Sequence, residues 1–404
     1  MKYNKQLIIF IILFSVNNFY GQSLDDYIQL AIKNNSSIKA KQYNEQLAEE
    51  KVQSVNTFAN TQFKMGVYAL QPETRVGNQS FKIGVAQQFP WFGTNKAKKE
   101  WQISKVKLAN NNTRLSQKKI VYQVKQSYYD IYAQKAIRKI LEENKKILTT
   151  YENIARGALQ NNKSTMTDIL MIQLKKNELD SKIQQIDNVI LTLNYNFNLL
   201  LEQDINTQIS VPESIELSKN ITIKSVDEHP SLQNNKEMLN VLEKERFFIK
   251  KSSKPKFSIG IDYISVLERP NFIDNNNGKD IIMPQISLSI PVFNSFFKSK
   301  LKQIDIQKAA VNSINIIQKN TLQSALNNAK KQYRNALIEI NFHRKNTSTT
   351  DTAIRLTLKS YENNKIDFEK VLTLQLEKIK YQINIIKATK KALIAKAKIA
   401  YLTA

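Results

Sequence analysis

Histidine and cysteine, the residues that most often carry metal or nucleophilic chemistry, are nearly absent: there are two His, at 229 and 343, and no Cys. That removes disulfides, thiolate metal sites, cysteine catalysis and acylation on an N-terminal Cys. It also leaves too few imidazoles for a zinc cage or a His relay. No Walker A loop, GxSxG elbow or HExxH helix is present. His229 directly precedes Pro230 and fits a turn at a helix start, not a metal ligand. The chain therefore reads as a non-enzyme with no cofactor and no resident metal. The remaining hydrogen-bonding chemistry gathers at two turns. One runs from Gly157 to Asp168 and holds Thr165 and Thr167; the other runs from Tyr361 to Asp367, holds Lys365, and is followed by Lys370 and Thr373. Gly157 permits a bend, and Thr165 with Asp168 supplies N-cap oxygens for the next helix. That is also ordinary helix-hairpin chemistry.

The elements that position those turns are long helices. Only 8 Gly and 8 Pro occur in 404 residues, and no Pro falls between Thr94 and Asn162 or after Pro291. At 1.5 Å per residue, Thr94 to about Gln160 would span roughly 100 Å. Leu179, Ile183, Ile186, Ile190, Leu193, Phe197 and Leu200 advance in alternating steps of four and three. Leu322, Leu326, Ala329, Tyr333, Ala336 and Ile340 do the same, as do Leu372, Leu376, Ile379, Ile383 and Ile386. A repeat of about 3.5 residues builds coiled-coil seams. The formal charge of +25 comes from Lys spread along the whole chain. Dispersed Lys reads as solvated helix faces, with no nucleic-acid partner.

The pattern is written twice. Phe63-Lys-Met-Gly66 recurs as Phe257-Ser-Ile-Gly260, and Phe89-Pro90-Trp91-Phe92 as Ile290-Pro291-Val292-Phe293. Lys163, Ile169, Leu170 and Gln173 match Lys365, Val371, Leu372 and Gln375. Such self-similarity reads as a tandem repeat, with halves 22–214 and 215–404. The first half is expected to hold strands at about 61–69 and 80–89, after a helical run from about Ser37 to Phe58, then helices at about 94–160 and 165–201. The second holds a helix at about 231–252, strands at about 256–266 and 281–291, and helices at about 296–360 and 367–401. In the strands Phe81, Ile83 and Val85 alternate with Lys82, Gly84 and Ala86, and Ile286, Leu288 and Ile290 with Gln285, Ser287 and Ser289. One apolar face and one small, polar face suit a membrane barrel, and Trp91 and Phe92 suit an interfacial aromatic belt. Four strands cannot close a barrel, which needs about eight, so closure would come from oligomerisation.

Lys2 and Lys5 precede the apolar run Leu7 to Val16, with small and polar residues to Gly21. Residues 1–21 are accordingly expected to be a secretory signal, and any membrane crossing to use strands.

These residues resemble the TolC family of outer-membrane efflux channels. The resemblance runs from about Ser23 to Leu402. It is carried by Gln88-Phe89-Pro90-Trp91-Phe92-Gly93, its counterpart Ser289-Ile290-Pro291-Val292-Phe293, and Thr167-Asp168-Ile169 opening a helix. It implies a mainly α protein with a membrane β-barrel portion: a long coiled-coil tunnel plus four strands per protomer, making a 12-stranded barrel in a homotrimer. It implies placement in the bacterial outer membrane, with the tunnel in the periplasm; the absence of Cys leads to the expectation of no lipid anchor. Implied partners are outer-membrane lipid, a periplasmic adaptor and an inner-membrane pump of the resistance-nodulation-division class. The run at 89–94 looks like that of members paired with heavy-metal pumps.

By the same resemblance the two turns, with Gly157, Thr165, Thr167, Asp168, Tyr361, Lys365 and Asp367, meet the adaptor and hold the tunnel shut. Pro90, Trp91, Phe92, Pro291 and Phe293 mark the barrel–tunnel junction. Where some members carry a gate Arg this chain has Ile366, and Lys370 and Thr373 stand at usually acidic constriction positions. Two other classes share the long helices: a periplasmic coiled-coil adaptor and a secreted structural coiled coil. The first needs Gly-rich β-domains, and the second leaves the paired strands unexplained.

Overall fold

In the computed structural model the described residues are 22–56, 58–161, 164–217, 225–363 and 366–403. The expected signal at 1–21, Lys163 and Lys365 lie outside them. The order of elements is α1 (Leu24–Asn34), α2 (Ser36–Gln53), β1 (Gln62–Val67), β2 (Glu73–Thr74), β3 (Gly77–Phe89), α3 (Thr94–Gln160), α4 (Met166–Leu201), α5 (Pro230–Ser252), β4 (Lys256–Leu267), β5 (Ile281–Ser289), α6 (Ser295–Glu362) and α7 (Phe368–Leu402). The helical run expected from Ser37 to Phe58 is shorter: α2 stops at Gln53 and a single 3₁₀ turn follows at Ser54–Asn56. It is preceded by α1, which the sequence reading did not separate. Asn35 makes the break, leaving helical geometry while its side chain accepts from the Ser37 and Ile38 amides.

Contacts divide the described residues into two compact units that cut across the sequence halves. One comprises 22–33, 124–217 and 338–390; the other comprises 34–123, 225–337 and 391–403, less the undescribed Thr57. The first unit is helical. Its core joins Leu141, Leu148 and Tyr151 of α3, Ile169, Ile172 and Leu179 of α4, Tyr361 of α6, and Phe368, Val371 and Ile379 of α7. Heptad positions are the sheltered ones, as a 3.5-residue stripe requires: Leu179, Ile183 and Phe197 are buried along α4. Tyr27 packs between Tyr128 and Phe197, its ring centroids 5.9 and 5.3 Å away, and its hydroxyl accepts the Ser210 amide at 2.9 Å. After α4 the chain reverses at Glu202 in the left-handed region (φ 50°). The fully buried Asn198 donates there to the Ile205 and Thr207 carbonyls.

The second unit holds the sheet. β1, β3, β4 and β5 pair antiparallel in that order, with the short β2 extending the β3 end. Within one chain the sheet is open: β1 and β5 are its two edges, each paired on one side only. The chain enters α3 through Gly93, whose φ of +79° is a conformation L side chains rarely adopt. Further along, Trp101 stacks on Phe248 at 5.3 Å. No described helix is long and apolar enough to cross a membrane.

Candidate functional site

Residues paired directly across antiparallel strands project to the same face, so the register sorts this sheet into a largely polar face, which also carries Ile264, Ile281 and Met283, and a largely apolar one. Lys64↔Gly84, Ala86↔Gly260 and Gly260↔Gln285 share one face, with Lys82, Gln88, Lys256, Ser258, Asp262 and Ser287. Met65↔Ile83, Val85↔Ile261 and Ile259↔Ile286 share the other, with Phe63, Val67, Phe81, Tyr263, Ile282 and Leu288. A soluble sheet buries its apolar face; here the reverse holds. Phe63, Met65 and Val67 are each 80% exposed and Ile286 is 83% exposed, whereas Asp262 on the polar face is 5% exposed. Asp262 accepts from Lys82 and Gln285, tying β3, β4 and β5 across that face. Gly84 makes room for it, since a Cβ there would strike the carboxylate.

Aromatic rings gather where β3 passes into α3. Phe89 and Phe92 both stack on Phe257 (5.4 and 5.8 Å), Phe58 meets Phe89 edge-on at 5.5 Å, and Trp91 meets Phe92 edge-on at 6.0 Å. Pro90 follows Phe89, the last residue of β3, and leads into Trp91 and Phe92. At the second junction, past β5, Pro291 is half-buried, whereas Val292 and Phe293 are 78% and 91% exposed. Beyond the strands at the far end, Arg269 bonds the Thr74 carbonyl at 2.6 Å and pairs with Glu73, while the Gly278 amide donates to the Val76 carbonyl at 2.7 Å. The two connecting loops are therefore joined to each other.

The turns lie in the helical unit. Gly157 makes no bend: α3 runs through it to Gln160, and the Asn161 side chain then donates to the Gly157 carbonyl. The chain turns only after that cap, because an isolated Gly among good helix formers costs too little to break a helix. Thr165 and Asp168 form a full capping box at the start of α4, each side chain accepting the other's amide, at 3.2 and 2.9 Å. Asp168 also accepts from the Ser164 hydroxyl. Thr167 is exposed in the first turn of α4. Tyr361 is 6% exposed and packs edge-on to Phe368, which also meets Tyr151. The Tyr361 hydroxyl is buried without a hydrogen-bond partner among the described residues. Asp367 precedes α7, its carbonyl taking the Lys370 amide. Lys370 and Thr373 come together with Ile366, Leu356 and Glu369 around a groove of 730 Å³.

Two polar clusters beside these turns were not anticipated. Glu152, 8% exposed, accepts from Arg156, Gln173 and Lys176 at 2.7 to 3.2 Å. Those hydrogen bonds, Lys176 first, hold its carboxyl far down, at about 2. Between α3 and α7, Gln375 donates to Asn144 at 2.7 Å and accepts from Tyr151 at 3.4 Å, and Asn144 donates to Gln382 at 3.1 Å. The only sequence signal was a polar residue beside each heptad seam. Among the described residues no cluster of His, Asp and Glu could hold a metal. His229 caps α5 through Nδ1, which accepts the Ser231 amide at 3.2 Å.

No protein-family profile matches the chain, and no curated protein matches it in sequence. Solved structures do. CusC, crystallised in a study of folding and transmembrane channel formation, matches with a TM-score of 0.75 at 13% identity, over 95% of this chain and 92% of its own. The outer membrane protein VceC of Vibrio cholerae matches at 0.72 and 10%, over 94% and 96%. The open state of the Neisseria gonorrhoeae MtrE outer membrane channel matches at 0.71 and 12%, over 94% and 88%. This chain has the fold of the TolC-type outer-membrane channels. The likeness spans nearly the full length on both sides, so the TolC-type fold accounts for the sheet and the long helices together.

Proposed function

We propose that the protein is the outer-membrane exit channel of a tripartite efflux system, a passive conduit assembled from three chains. The observation that carries this reading is the inverted sheet: an apolar face nothing among the described residues covers, a polar face sheltered along β3 and β4, and two unpaired edges. A face like that is stable against lipid, where every backbone group must find a partner and an open edge cannot persist. Four strands from each of three chains would close a barrel of twelve, the apolar face toward lipid and the polar face lining water. The aromatic group around Trp91 then lies at the periplasmic interface, with Pro90, Phe92, Pro291 and Phe293 at the junction between barrel and tunnel.

The helices form the periplasmic tunnel, and the two turns at its tip meet the adaptor and close the aperture. Thr165, Thr167, Asp168, Tyr361, Lys365, Asp367, Lys370 and Thr373 act there, and the pump belongs to the resistance-nodulation-division class. The buried, unpartnered hydroxyl of Tyr361 supports a network completed only when hairpins of neighbouring chains close together. Cell fractionation tests the placement: recovery in the outer-membrane fraction is expected, and recovery as a soluble periplasmic protein would favour an adaptor. Comparing a deletion strain's sensitivity to copper, zinc and hydrophobic drugs tests the heavy-metal branch, which equal metal sensitivity with and without the gene would remove.

A further inference from the structure

We infer that the polar face of the sheet makes the barrel lumen anion-favouring, so that anionic solutes pass more readily than cations of the same size. The inference rests on the channel reading above and deepens it. The pairing register places four charged residues on that face: Lys64, Lys82, Lys256 and Asp262. Asp262 is taken up by Lys82 and Gln285. Lys64 and Lys256 are exposed and make no ion pair among the described residues. Three Lys against one Asp leave a net charge of +2 per chain on the face toward water, or +6 in a trimer. Across β1, β3, β4 and β5 the opposite face adds no charge: Phe63, Met65, Val67, Ile83, Ile261, Ile282 and Ile286 are apolar, and Gln87, Tyr263 and Ser265 are neutral polar.

The sign matters because a water-filled bore with low-dielectric walls concentrates counter-ions of its fixed charge, and rings of Lys or Arg line pores for anions. Lys64 in β1 and Lys256 at the start of β4 pair directly with small partners, Gly84 and Ser289. The bore is wide, so the effect is a preference and not exclusion. It weakens with salt, because the Debye length falls from about 10 Å at 0.1 M to about 3 Å at 1 M. A metal cation would then cross more easily as an anionic or neutral complex than free.

The test is the reversal potential of the purified full chain in planar bilayers under a KCl gradient. Chloride is expected to be favoured over potassium by several-fold at about 0.1 M salt, and less at about 1 M. Lys64→Gln with Lys256→Gln should bring the ratio close to one, and Lys64→Glu with Lys256→Glu should invert it. Both positions are exposed on the sheet, and retained channel formation shows that the variants fold. Potassium selectivity in the unaltered protein, or a ratio unmoved by charge reversal, would overturn the inference while leaving the channel intact. Failure to form any channel would overturn the channel reading and this inference with it.

Discussion

His229 shows how a residue that invites a metal reading is used otherwise. It is 2% exposed, edge-on to Tyr401 at 5.3 Å, and burial together with Lys118 and Lys398 pushes its imidazole down to about 4 from 6.5. The folded chain therefore holds it neutral while the unfolded chain takes up a proton between those values. Stability is full above about pH 6.5 and declines as the pH falls to about 4, by at most about 3 kcal/mol. His229→Asn keeps a good N-cap acceptor without titrating. Thermal melts of the detergent-solubilised protein should fall between pH 6.5 and 4 in the native chain, and by less in the variant. An equal fall in both would show that groups other than His229 dominate acid sensitivity in that range; Glu152, held down to about 2, loses its contribution only below about pH 4.5.

Asp168 is the second case. Its Oδ2 serves its own capping box, so Asp168→Ala costs about 1 kcal/mol of local stability whatever else it does. If it also ties hairpins together, Asp168→Ala and Tyr361→Phe should each raise single-channel conductance from the closed state. Hydrogen bonds at about 1 kcal/mol, and somewhat more when charged, suffice for that. Unchanged conductance in both leaves Asp168 as a cap and Tyr361 as a core ring. Lys370 and Thr373 give the groove no carboxylate of their own, so divalent cations applied from the periplasmic side should block weakly. Strong block would point to Glu369 or Asp367.

Among the elements, α3 and α7 are packed by apolar seams but aligned by polar groups. Leucine and isoleucine stripes tolerate a shift of one heptad, whereas the Tyr151–Gln375–Asn144–Gln382 chain is satisfied in one alignment only. Gln375→Leu leaves the Asn144 carbonyl and the Tyr151 hydroxyl without this partner, both in buried surroundings. It should cost about 1–3 kcal/mol, read as a lower melting temperature, although the helix content is unchanged. A melting temperature equal to the native value would mean that water replaces the amide. The seams themselves were plain in the sequence, because Leu322, Leu326, Ala329, Tyr333, Ala336 and Ile340 follow the 3.5-residue step and all are buried. The strand faces were equally plain from alternation, with Ile264, Ile281 and Met283 the exceptions on the polar side. What the sequence hid were effects with no period: the Asn35 break between α1 and α2, the passage of α3 straight through Gly157, and the side-chain bonds of Asn144 and Glu152. Each depends on a partner far along the chain or on a local hydrogen bond that composition does not encode.

At the scale of the whole molecule, one chain leaves its chemistry unfinished. β1 and β5 each present an unpaired edge, and the apolar face between them is exposed, a combination that promotes association. Lipid covers the face and neighbouring chains pair the edges in the proposed assembly. The number of chains is the decisive quantity, because four strands give eight for a dimer and twelve for a trimer, and both can close. The mass of the protein–detergent complex, with the protein share separated by multi-angle light scattering in a mild detergent, measures it directly. A particle of three chains, a little under three times 46.7 kDa of protein once the expected signal at 1–21 is removed, is the predicted result. A stable monomer or dimer of full helical content would contradict the account.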